Sequence, residues 1–273
     1  MSLAATLRYD LALRAQNFAA AHGLPHSLSY GEPSIPCFAP YEDNWRHGNF
    51  LTESYKAIQR NPAWKRRLAK VHTQGLRSLP HTARGRWREL DSCTSSDALL
   101  MNIFCLPSLQ RNRGIALLLG AEPSIHASFG QKARVPLISG RFDRTEVDLR
   151  LGDTLIEAKL TENDFQSARK DVLYAYRDFS EVFDSSQLPQ SDTHYFSYQL
   201  LRNVLAAQAS ACSFCVLIDA RRPDLRDAWY AVMKCVLPVE LRTRLRIATW
   251  QEVAQATSPK LQKFLAAKYG IGF

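Results

Sequence analysis

Several signatures are missing from this chain of 273 residues, and each absence removes a class of function. There is no run of eighteen apolar residues, so the sequence predicts no membrane-spanning helix. No glycine-rich loop ends in Lys-Ser or Lys-Thr, which argues against intrinsic ATP hydrolysis, and no G-x-S-x-G elbow points to a serine hydrolase. The glycines of "GIALLLGAEPSIHASFG" do not stand at dinucleotide-binding spacing. The seven histidines read as surface or structural residues; only His194, just ahead of a predicted helix, could approach a site. Six cysteines include one close pair, "CSFC" at 212–215, without the second pair or histidines that a zinc site needs. They read as reduced core thiols, the pair opening the apolar strand "SFCVLIDA". Repeats and low-complexity tracts are absent. The first twenty residues lack a basic flank followed by an apolar core, so they predict a helix of the mature protein and a cytoplasmic location.

What remains is an ordinary globular composition, 46% hydrophobic and 22% charged, with length enough to bury a core. The net charge of +9 favours a polyanionic partner such as nucleic acid. Basic residues cluster in "WKRRLAK" at 64–70, "RSLPHTARGRWR" at 77–88 and "RRPDLR" at 221–226, either as solvated faces or as a nucleic-acid surface. Trp45, Trp64 and Trp87 lie near them and could stack on bases.

Periodicity divides the chain into a mainly helical N-terminal region, 1–90, and an α/β domain, 91–273. "NFLTESYKAIQRNPAWKRRLAKVH" predicts two short helices broken at Pro62, and Thr94, Ser95 or Ser96 could cap the next. A strand or strand pair follows at 126–139, then a hairpin, then helical periodicity from 161 to 179 and again from 195 to 210. The strand "SFCVLIDA", a helix, the short strand "RLRIATW" and two helices complete the chain. Helix, three strands, helices, strand and helix describe an α/β core, a mixed sheet flanked by helices, with helical additions at both ends.

The hairpin "EVDLRLGDTLIEAKL", 146–160, carries charge where a half-buried strand should not. Glu146, Asp148 and Arg150 share one face of the first strand; Leu155, Glu157 and Lys159 share one face of the second. With Gly152-Asp153 as the turn, Asp148 lies opposite Glu157 and Glu146 opposite Lys159. Facing carboxylates repel unless a cation sits between them. Hard oxygen ligands of this kind suit Mg²⁺ or Mn²⁺, and Lys159 could aim its ammonium at a metal-bound water or a phosphate. On this reading Asp148→Ala leaves the fold intact, or firmer without metal. The plainer alternative is a solvated face on which Glu146 pairs with Lys159.

Asp148, Glu157 and Lys159 resemble the Asp-x(n)-Glu-x-Lys signature of the PD-(D/E)xK, or restriction-endonuclease-like, nuclease superfamily, with Val147 where a proline often stands. "SSDALLMNIF" and "QLLRN" are similar to an uncharacterised bacterial branch of it. The resemblance implies a metal-dependent nuclease acting on nucleic acid, DNA above all, with Asp148, Glu157 and Lys159 catalytic and Asp148 and Glu157 holding the metal. It adds Asp97 as a further metal ligand, with Glu89 or Asp91 as alternatives, and Gln199, Arg202, Asn203 and Glu146 in support. A homodimer is possible on the same grounds. The alternative on the same fold is a catalytically silent nucleic-acid-binding or assembly module.

Overall fold

Apolar residues that alternate along 127–158 form three antiparallel strands, and the unbroken apolar run near 214 forms a fourth strand inside the same sheet. The five strands, β1 to β5 in chain order, are Ala127–Lys132, Glu146–Leu151, Thr154–Ala158, Ser213–Ile218 and Leu245–Thr249. They lie in the order β5-β4-β3-β2-β1. β1, β2 and β3 are antiparallel neighbours, whereas β3, β4 and β5 run parallel, so the sheet is mixed as predicted. Parallel neighbours need crossovers, and the helices Tyr198–Ala209 and Pro223–Met233 make them. The computed structural model describes residues 1–29, 31–41, 45–71, 81–82, 85–86, 88–109, 112–122 and 126–272, with 81–82 and 85–86 described by backbone alone.

Two compact units share the chain: Met1–Asn112 with Trp250–Phe273, and Arg113–Thr249. The sheet belongs to the second. Its core joins Leu200 and Val204 of the first crossover helix to Phe214 and Val216 of β4 and Trp229 of the second crossover helix. Each such side chain, fully buried, contributes about 1.5–3 kcal/mol. Phe214 and Trp229 meet edge-on, with centroids 5.6 Å apart.

One helix is shorter than the sequence predicts. Over 161–179 the chain forms a strand, Ser167–Arg169, paired with His194–Phe196, before the helices Lys170–Tyr174 and Phe179–Val182. The cause is local. Asp164 Oδ1 accepts the N–H of Gln166 at 2.6 Å, and Gln166 takes a φ of +60°, which turns the chain before a helix can begin. Ser197, at φ +59°, likewise holds back the next helix to Tyr198.

In the first unit the helix Leu3–His22 buries Ala4, Leu7, Leu11, Ala15 and Ala19, a stripe at helical spacing. Asn61 divides Thr52–Arg60 from Pro62–Arg67, its Oδ1 accepting the N–H groups of Ala63 and Trp64. Ser95 is the residue that caps Ser96–Phe104. The helix Pro259–Tyr269 closes on Gly270 at φ +63°. Among the described residues no helix is long and apolar enough to cross a membrane.

Candidate active site

The hairpin forms in the predicted register: Leu149 faces Ile156, Arg150 faces Leu155 and Leu151 faces Thr154. Gly152 makes this turn possible with φ +54°, a region that costs other residues a steric clash. The ladder ends at Leu149. Asp148, next along, does not continue it through its backbone; its carboxylate Oδ2 accepts the N–H of Ala158 at 2.8 Å. Asp148 therefore has a structural duty that the sequence does not reveal. Asp148→Ala removes an acceptor from the edge of the hairpin, so the expected gain in stability from relieving an acid pair is offset.

The face carrying Glu157 is not solvated. Glu157 is 2% and Lys159 5% exposed, which rules out the plain surface hairpin. Both Glu157 oxygens are engaged: Oε1 accepts from Lys159 Nζ at 2.7 Å and Oε2 from Asn203 Nδ2 at 2.8 Å. The amide of Asn203 has only one sensible orientation, because its Oδ1 accepts from Arg202 Nε and Nη2 at 3.3 and 3.0 Å. Arg202 is itself tied to the backbone carbonyl of Glu146 at 3.2 Å. Lys159, Glu157, Asn203, Arg202 and the Glu146 carbonyl thus form one chain of polar contacts between the hairpin and the crossover helix.

Burial by itself would lower the Lys159 pKa, but the carboxylates of Glu157, Glu162 and Asp148 outweigh it and hold the group above the ordinary lysine value. Lys159 is an ammonium at neutral pH. Glu162 is the member that the sequence reading missed. Its Oε2 accepts the N–H of Leu160 at 2.6 Å, and Arg222 clamps the carbonyls of Glu162 and Asn163 at 2.7 and 2.9 Å. An acid three residues beyond Lys159, at the mouth of the same strand, was the available signal.

The remaining predicted residues have other surroundings. Gln199 lies one turn before Arg202 and Asn203 on the same helix, and its Oε1 is buried with no hydrogen-bond partner among the described residues. Asp97, in the first unit, is 2% exposed, and its Oδ2 accepts from Arg67 at 2.9 Å and from Lys70 at 2.8 Å. Glu89 shares Lys70, and Asp91 accepts from His47. Glu146 pairs in register with Lys132 of β1. His194 stands on the strand His194–Phe196, its Nδ1 against Thr193 Oγ1. All six cysteines are buried and none forms a disulfide. Among the described residues no group of three or more His, Cys, Asp or Glu side chains is arranged to hold a metal ion.

The basic clusters are partly spent inside the protein. Arg67 and Lys70 of the first serve Asp97; Arg221 and Arg222 of the third pair with Asp219 and Asp224, and Arg222 is fully buried. Residues 77–80, 83, 84 and 87 of the second, Trp87 included, lie outside the described residues.

A family model described as "Restriction Endonuclease associating with ARP" matches residues 12–270. The chain belongs to this family. Membership of the REase-ARP family supports a restriction-endonuclease-like, nuclease-related protein, in agreement with the mixed sheet and the crossover helices. No curated protein and no solved structure matches the chain.

Proposed function

We propose that this REase-ARP protein is a metal-dependent nuclease of the PD-(D/E)xK kind, with DNA as its substrate and Asp148, Glu157 and Lys159 as its catalytic residues. The observation that carries the reading is the buried pair of Glu157 Oε1 and Lys159 Nζ at 2.7 Å, with the Asp148 carboxylate held at the adjoining Ala158 N–H and the Glu162 carboxylate at the Leu160 N–H. Three acids around one base leave a demand for positive charge, and oxygen donors suit a hard divalent cation. Asp148 and Glu157 would hold Mg²⁺ or Mn²⁺, which when bound supplies an activated water and offsets charge on the scissile phosphate. Lys159, kept protonated by its acidic neighbours, then serves as a positive charge directed at the phosphate rather than as a base. Asn203, its amide fixed by Arg202, fixes the Glu157 carboxylate in turn, and is a positioning residue. The family description names association with ARP, and we extend that association to this chain.

The test is calorimetry with Mg²⁺ and Mn²⁺ on the wild type and on Asp148→Asn, followed by cleavage assays on single- and double-stranded DNA. Metal binding and cleavage that both vanish in the variant uphold the reading; cleavage that survives in Asp148→Asn sinks it. The closed state of Glu157, with both oxygens occupied, favours a second reading in which the fold binds nucleic acid without turnover. Salt-dependent DNA binding indifferent to metal would establish that one.

A further inference from the structure

In the second unit the chain reaches β2 through a small two-stranded ribbon, Val135–Pro136 paired with Phe142–Asp143. Alternation assigns its two faces. Val135 is buried in the core, so its partner Asp143 also turns inward, whereas Pro136 and Phe142 turn outward. The ribbon is firmly mounted. Asp143 accepts from the Tyr176 hydroxyl at 2.6 Å and from the Thr145 N–H at 2.7 Å. The Ile138 N–H donates to the Ala175 carbonyl at 2.9 Å, and the Arg177 N–H to the Pro136 carbonyl at 3.1 Å. Gly140 turns the tip at φ +76°, with open space where a side chain would stand.

The exposed side is cationic. Arg134, Arg141 and Arg144 all face solvent, the Arg134 guanidinium 4.6 Å over the Phe142 ring. Among the described residues Arg141 and Arg144 pair with no carboxylate. Of the two acids in the stretch, Asp143 is bound inward to Tyr176, and Glu146 stands opposite Lys132 of β1. Ile138, 70% exposed, makes the tip apolar. Arg144 comes four residues before Asp148, so their Cα atoms are at most about 14 Å apart. A DNA duplex carries one charge per roughly 1.7 Å of its axis, so a duplex held at Asp148 brings several phosphates within reach of Arg144.

We propose that this ribbon enters the major groove of double-stranded DNA, with Arg141 and Arg144 on phosphates and Ile138 against the base edges. The choice of DNA rests on the nuclease function proposed above. A two-stranded β-ribbon fits the width of the major groove, and arginines fixed by a rigid mount meet phosphates at little entropic cost. Single strands are held instead on aromatic platforms. Here the one ring of the ribbon, Phe142, has a face taken by Arg134.

The experiment is fluorescence anisotropy on the full chain with a labelled DNA duplex and the matching single strand, in EDTA, from about 50 to 200 mM KCl. The duplex should bind more tightly than the strand. Arg141→Ala combined with Arg144→Ala should weaken duplex binding about tenfold and lower the slope of log affinity against log salt by about one per arginine. Ile138→Ser should weaken it with the slope unchanged. Arg242→Ala, which removes a charge at the opposite end of the sheet ahead of β5, should leave affinity and slope as in the wild type. All four positions are exposed, so the urea midpoints should match. No duplex binding, equal affinity for duplex and strand, wild-type binding by the arginine variant, or an equal loss in Arg242→Ala overturns the proposal. Arginine-dependent duplex binding without cleavage on adding Mg²⁺ upholds the ribbon and sinks the nuclease reading; cleavage with arginine-independent binding does the reverse.

Discussion

Asn203 Nδ2 donates to Glu157 Oε2 over 2.8 Å, joining the helix Tyr198–Ala209 to β3 at a carboxylate that is almost wholly withdrawn from water. A buried oxygen that loses its donor keeps its desolvation cost. Asn203→Ala should therefore destabilise the protein by about 1–3 kcal/mol. The urea midpoint measures this, and an unchanged midpoint would show that the contact does not form.

The Lys159–Glu157 pair, closed at 2.7 Å, should behave as a unit. Removing the base alone, in Lys159→Met, strands a buried charge and should cost about 3–5 kcal/mol. Adding Glu157→Gln removes that charge and should recover much of the loss. A double-mutant cycle reads the coupling directly, and additive effects would refute the pairing.

Asp148 combines a hydrogen bond with a charge, and two substitutions separate them. Asp148→Asn keeps an oxygen for the Ala158 N–H and should hold stability close to the wild type. Asp148→Ala leaves that N–H without its acceptor and should lose about 1–3 kcal/mol. Both should lose metal binding. Equal unfolding temperatures for the two variants would contradict the structural half of this role.

Lys268 predicts a pH dependence. Its Nζ donates to Gly48 O at 3.0 Å and Asn49 Oδ1 at 2.7 Å, and burial pushes its pKa from the ordinary 10.5 down to about 7. Between those two values the unfolded chain holds a proton that the fold does not, so stability rises with pH across the window. From pH 7 to about pH 8 the gain is on the order of 1 kcal/mol. Lys159, held above the ordinary lysine value, is protonated in both states there and cancels. Lys268→Met should flatten the rise, so the wild-type minus variant difference across pH is the measurement; a constant difference would discard the idea.

Local rules made much of this architecture readable in advance. Gly152 and the alternation around it set the hairpin register, Pro62 and the run Thr94, Ser95 and Ser96 marked helix boundaries, and the apolar run at 214–218 announced a buried strand. The polar network around Glu157 was only half legible. Parity placed Asp148, Glu157 and Lys159 on one face, whereas the closure of Glu157 by Asn203 depends on a helix dozens of residues away. Asp97 read as an acid in search of a cation, and it has one in Arg67 and Lys70, which no spacing rule could select from the other basic residues. The helix expected from 161 failed for a different reason: a single Asx turn at Asp164 and a left-handed Gln166 overrode a periodicity that was real.

The separation of 46 residues between Glu157 and Asn203 also sets an order in time. A chain emerging from the ribosome presents Asp148, Glu157 and Lys159 well before the helix that steadies them, and before β4 gives β3 its second neighbour. Up to that point Glu157 lacks the Asn203 donor that occupies its Oε2. The strand β5, Leu245–Thr249, follows later still, so a chain truncated before Asn203 carries Asp148, Glu157 and Lys159 without the amide that closes Glu157.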